Sequence, residues 1–175
     1  MRLDKLTTAF QQALADAQSL AVARDNPYIE PSHLLHAMLE QPDGPKALLD
    51  RAGANSAALR TAMETAINGL PSVQGGGPVQ AGRDLVQLLQ GADKEATKRG
   101  DQFVASEMFL LALADSKSDI GGIVRGHGLT RKALEAAITA VRGGQTVDSA
   151  DAEGQREALK KYTCLLYTSP SPRDS

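Results

Sequence analysis

The sequence contains one stretch twice. Residues 29–39 read IEPSHLLHAML and residues 103–113 read FVASEMFLLAL. Each opens with a large apolar residue, passes a short polar turn and enters a dense apolar run. Ser32 matches Ser106, Leu35 matches Phe109 and Leu39 matches Leu113, all 74 residues apart. The match extends outward. Leu14 pairs with Leu88 and Arg24 with Lys98; after a one-residue slip, Gly53 pairs with Gly128, Leu59 with Leu134 and Met63 with Ile138. Self-similarity over such a span marks a duplicated supersecondary unit, too small to bury its apolar face alone. The expectation is an all-α chain of eight short helices, as two four-helix halves (about 1–70 and 80–143) packed about an approximate twofold axis.

The helix ends are written in local signals. Leu3, Leu6, Phe10, Ala13, Leu14, Ala17, Leu20 and Ala21 recur at helical spacing, predicting a first helix from about 4 to 24 that Asn26-Pro27 breaks. A second starts near Pro31, a residue suited to a first turn. A short third spans about 45–52, and Asn55 or Ser56 can cap a fourth that carries Leu59, Met63 and Ile67. Pro71, Gly75, Gly76, Gly77 and Pro78 mark a connector between the halves. The glycine run is not a phosphate loop, because Pro78-Val79-Gln80 follows where Gly-Lys-Ser/Thr would be needed. In the second half, Gly100 can stop a helix in left-handed geometry, Asp119 can cap a short one, and Thr130 can cap the last, which Gly143-Gly144 ends. Residues 145–154 are polar and aperiodic and read as a linker.

Composition narrows the function classes. Hydrophobic residues make up 42% and aromatics 3%, with no Trp, so Leu and Ala must fill the core. A net charge of −2 argues against nucleic acid or an anionic membrane as the main partner. A lone Cys164 excludes an internal disulfide and a cysteine metal cluster. The N-terminus lacks the apolar run and cleavage site of a signal peptide, and no stretch approaches the ~20 apolar residues that span a bilayer. A cytoplasmic location is expected.

Catalysis is the weakest hypothesis. His33 and His36 share a helix face, but a zinc site needs further ligands; the only Cys lies in the tail and His127 is remote in sequence. Ser32 beside His33 is a helix-start pattern without a strand-turn-helix elbow. No cofactor or metal is expected. Thr7 lies at the edge of the first apolar stripe, Asp101 follows the Gly100 stop, and Glu107 sits in the first turn of the repeated helix, where a carboxylate complements the dipole. A stripe-edge position for Thr7, a capping role for Asp101 and a dipole role for Glu107 account for the three. Leu89 and Met108 are candidate apolar neighbours of these polar residues, and Met adapts to varied partners.

The doubled unit, the opening MRLDKLT, the stretch ADAQSLA at 15–21, LEAAI at 134–138 with Arg142-Gly143-Gly144, and EALKKYT at 157–163 resemble the Clp N-terminal domain, in particular that of ClpB-type disaggregases. The resemblance covers about residues 1–163. It implies a parent that is a homohexameric ATP- and Mg-dependent machine, working with DnaK-type chaperones to thread aggregated protein through a pore. The sequence holds no Gly-x-x-x-x-Gly-Lys-Ser/Thr, so that hydrolysis is not expected of this chain. The implied role is that of a monomeric, tethered domain engaging unfolded or aggregated protein, with residues 144–163 leading toward the first ATPase module. Thr7, Asp101 and Glu107 match polar positions around the family's substrate surface, with Leu89 and Met108 as candidate apolar contacts. The alternative is a module that docks an adaptor or other folded partner. Residues 164–175 resemble a translated sequencing adaptor and are set aside as read-through.

Overall fold

The computed structural model describes residues 3–42 and 44–153. Beyond residue 153, the expected 144–163 segment and the tail 164–175 lie outside the described residues. The described residues form eight α-helices in two similar halves. The first half holds α1 (Thr8–Ala23), α2 (Pro31–Glu40), α3 (Lys46–Arg51) and α4 (Ser56–Asn68). The second holds α5 (Arg83–Arg99), α6 (Ser106–Asp115), α7 (Asp119–Gly126) and α8 (Arg131–Arg142).

Most boundaries follow the sequence signals. Pro31 opens α2, Asn55 accepts from the Ala58 amide to cap α4, Thr130 caps α8, and Gly100 and Gly143 close α5 and α8 with φ of 76° and 58°. Two starts differ from expectation. The first helix begins at Thr8, because Thr7 turns its side chain onto the Phe10 amide (3.2 Å) and becomes the N-cap; a 3-10 turn, Leu3–Lys5, precedes it. Thr7 is therefore a buried cap, not the edge of an apolar stripe. The cap of α7 is Ser118, whose hydroxyl accepts from the Gly121 amide, and Asp119 falls one position inside.

The helices also correct the repeat register. α2 and α6 have 10 residues each and start at Pro31 and Ser106, one residue beyond the 74-residue spacing read at Ser32. The caps Asn55 and Thr130, and the left-handed Gly53 and Gly128, keep the larger spacing. In this register Glu107 corresponds to Ser32 and Met108 to His33; pairing Glu107 with His33 is wrong by one position.

Two short strands, β1 (Tyr28–Ile29) and β2 (Gln80–Ala81), pair in parallel across the halves. Their bond from the Gly82 amide to the Ile29 carbonyl (2.9 Å) has a counterpart from the Thr7 amide to the Val104 carbonyl (3.1 Å). Thus the segment before the first helix of each half pairs with the segment before the second helix of the other. Sequence periodicity carried no sign of this, since two-residue strands have no pattern to read. The pairing brings α1 and α6 together. Phe10 and Phe109, both fully buried, meet edge to face with ring centres 6.2 Å apart and planes at 66°. Leu34, Leu35, Met38, Leu110 and Leu113 complete the centre.

Residues 145–153 are not free chain. Val147 is buried, its amide donates to Asp101, and its carbonyl accepts from the Gln102 and Phe103 amides. The Thr8 amide donates to the Ala150 carbonyl at 2.8 Å. This segment runs back over the start of α1.

Candidate functional site

Three of the five sequence candidates converge. Thr7, Asp101 and Glu107 lie in one buried polar cluster where the starts of α1 and α6 meet the end of α8. Arg142, the last residue of α8, organises it. Its Nη1 donates to both Asp101 oxygens (3.1 and 2.9 Å) and its Nε donates to Glu107 Oε1 (3.1 Å). Its Nη2 lies 3.0 Å from the same Glu107 oxygen but off the line of a hydrogen bond. The side chains of Arg142, Asp101 and Glu107 are 6%, 0% and 5% exposed. Glu107 is therefore not an exposed rim charge, and the dipole role expected for it is subordinate to an enclosed ion pair.

Glu153 closes the other side. Its carboxylate accepts from Thr7 Oγ1 (2.6 Å), the Ser106 amide (2.7 Å) and Ser106 Oγ (3.3 Å), which satisfies an orphan donor at the α6 N-terminus. Burial, and then the Glu107 charge, push the Glu153 carboxyl up to about 7; the bonds from Thr7 and Ser106 pull the other way. Met108 is fully buried and Leu89 is 9% exposed, so both belong to the hydrophobic core. The sequence reading missed Arg142 and Glu153. Arg142 had a signal: it continues the Leu134 and Ile138 stripe of α8 and occupies the place that Ile67 holds in the first half. A guanidinium at a core position needs a buried partner.

The equivalent corner of the first half is neutral. His33 Nδ1 accepts from the Glu30 amide (2.9 Å), so its Nε2 carries the proton and donates to Asn26 Oδ1 (2.9 Å). Asn26 Nδ2 in turn donates to the Pro71 carbonyl. Burial, then the Arg24 and His36 charges, lower the His33 pKa to about 4. The unfolded chain takes up a proton near 6.5 that the folded chain refuses. The His33 contribution should therefore be fully present above about 6.5 and decline as pH falls toward 4, by about 3 kcal/mol in all. Urea titrations between pH 4 and 7 should show this slope in the native chain and not in His33→Gln; equal slopes would refute it.

A second feature is an open groove of about 1090 Å³ along α5, between α2 and α7. Leu88, Ala112, Ile120 and Ile123 give it an apolar floor, and Lys94, Lys98, Asp84 and Asp119 stand on its rim. Glu95 also lines it, but Arg131 holds it with two bonds (2.7 and 2.8 Å) and keeps its carboxyl below the ordinary range. Leu89 and Met108 do not line this groove. Among the described residues no cluster of three or more His, Cys, Asp or Glu could hold a metal, and no helix is long and apolar enough to cross a membrane.

The duplicated four-helix unit, giving eight helices among the described residues, defines the class of protein. The chain belongs to the Clp repeat (R) N-terminal domain family, whose pattern matches residues 5–127. The chaperone protein ClpB of Pseudomonas putida is 47% identical over 168 residues, covering 95% of this chain and 20% of that protein. The chain thus spans about a fifth of the length of the curated relatives it matches. The fold matches the Hsp104 N-terminal domain of Candida albicans (TM-score 0.74, 23% identity, 85% of this chain and 98% of that one). It also matches the ClpV N-domain in a complex with a VipB peptide (TM-score 0.65, 22% identity, 78% of this chain and 86% of that one).

Proposed function

We propose that this domain holds unfolded or aggregated polypeptide for a ClpB-type disaggregase, and that the α5 groove makes the first contact. The groove carries the proposal. Unfolded segments present mixed apolar side chains, which suit the Leu88, Ala112, Ile120 and Ile123 floor, and charges of either sign, which suit a rim bearing both lysines and carboxylates. Thr7, Asp101 and Glu107 form a second contact, at the end of the domain where α1 and α6 start, with Leu89 and Met108 in the core. Threading, with its ATP and Mg, belongs to the ATPase modules of a homohexameric parent cooperating with a DnaK-type system in the cytoplasm.

Chemical-shift mapping with casein, a persistently unfolded protein, tests this. Shifts should cluster at Ile120, Ile123 and Lys94. Ile123→Asp should weaken casein binding about tenfold, the worth of one apolar side chain losing burial, with little loss of stability because Ile123 is only half-buried. Shifts confined to other faces would overturn the groove as the site. A second reading, docking of one folded or peptide partner, is favoured by the VipB peptide on the ClpV N-domain. Tight, sequence-selective binding in the groove, with no response to casein, would establish it instead.

A further inference from the structure

We propose that residues 147–153 are a releasable strap that keeps the Thr7–Asp101–Glu107 end of the domain closed, with Glu153 as its latch. This deepens the proposed function and rests on its placing a substrate contact at that end. Four sets of bonds hold the strap, and all bridge from chain that follows α8 to the start of α1, the α5–α6 loop or the start of α6. The Val147 backbone engages Asp101, Gln102 and Phe103; the Ala150 carbonyl takes the Thr8 amide; Asp151 takes the Thr8 hydroxyl at 3.0 Å; and Glu153 takes Thr7 and Ser106. With Glu153 seated, the Thr7 hydroxyl and the α6 N-terminus are already occupied, so an incoming chain reaches them only by displacing the strap.

The latch is built to yield. Glu153 places a carboxylate next to Glu107 on α6, whose charge opposes its ionisation; Asp101 after α5 and Arg142 on α8 belong to the same cluster, where Arg142 is already shared by Asp101 and Glu107, and Asp151 on the strap bonds Thr8. No cation bonds Glu153 directly among the contacts described. Burial and Glu107 raise its carboxyl to about 7 in the seated strap, against an ordinary 4.5. A carboxyl raised on docking stabilises the docked form fully below about 4.5, and that stabilisation is lost as pH rises to about 7. The strap should therefore loosen with rising pH by up to about tenfold in its docking equilibrium per pH unit across that window.

Amide hydrogen exchange on the full chain reads strap opening directly, at Thr8, Gln102 and Ser106, whose amides bond to the strap. After correction for intrinsic rates, protection at these three should fall between pH 5 and 7 while core amides such as Leu35 and Leu110 keep theirs. Glu153→Ala should leave them poorly protected at every pH. Glu153→Gln keeps an acceptor for Ser106 and removes the charge, so it should hold protection at pH 7 and abolish the pH dependence. Protection at the three amides equal to that of the core in Glu153→Ala would overturn the strap. Casein binding by the same variants tests the site separately. Tighter binding by Glu153→Ala than by Glu153→Gln supports strap control. Equal binding with a demonstrably open strap would overturn that control and the Thr7-end contact, and would leave the α5 groove standing.

Discussion

Replacing Arg142 with methionine is expected to cost about 3–5 kcal/mol of stability, the loss typical of breaking a buried ion pair from one side. Arg142 fits its place twice over. Its stem continues the apolar stripe of α8, and its guanidinium spans Asp101 and Glu107, whose side chains are almost fully enclosed. Methionine keeps the stem and strips the cation from two buried carboxylates. Urea denaturation at pH 7 measures the loss. The comparison variant replaces all three together, as Asp101→Asn, Glu107→Gln and Arg142→Met; it should recover a good part of the stability, because no charge is then stranded. A loss under 1 kcal/mol for Arg142→Met alone would show that the cluster is more hydrated than its burial indicates.

Phe109→Ala should be comparably severe, at about 3–5 kcal/mol. Phe109 is fully buried and meets Phe10 edge to face across the boundary between the halves. Its loss opens a cavity where α1 and α6 meet, and the interleaved strands beside it limit how far the helices can close in. Thermal or urea unfolding gives the value directly. A retained single transition with a lower midpoint is expected, since one core serves both halves; two resolved transitions would mean that the halves unfold separately.

The helices were legible because their signals are local. Pro31, Asn55, Gly100, Thr130 and Gly143 each act within one turn, and each stands at the boundary it predicted. Thr7 was legible as a residue and not as a cap, since the apolar stripe runs through Leu3 and Leu6 and hides the break before Thr8. The repeat was visible, but its register slipped by one where both halves offer a serine near the helix start. That slip set Glu107 against His33 and concealed the more telling comparison, in which Asn26 and His33 of the neutral corner correspond to Asp101 and Met108 of the charged one. The family resemblance singled out Thr7, Asp101 and Glu107 as a group. The shared partner of Asp101 and Glu107, Arg142, lies 35 residues beyond Glu107, a separation over which no helical or turn rule speaks. Burial, which decides whether these groups meet solvent or each other, is a property of the packed halves and is not encoded in any one segment.

The crossed pairing of the two halves has a consequence for descent. The Gly82–Ile29 and Thr7–Val104 bonds are the same bond made in opposite directions, so every such contact is available to two separate copies of a single repeat. A half-length ancestor could have formed this fold as a symmetric dimer, each copy lending its leading segment to the other. The glycine-rich stretch between Pro71 and Pro78 then needs only to tie two chains into one. Once tied, the copies no longer had to stay identical. One corner could keep an uncharged histidine and asparagine, while the other acquired an arginine, its carboxylates and the trailing segment that now covers them.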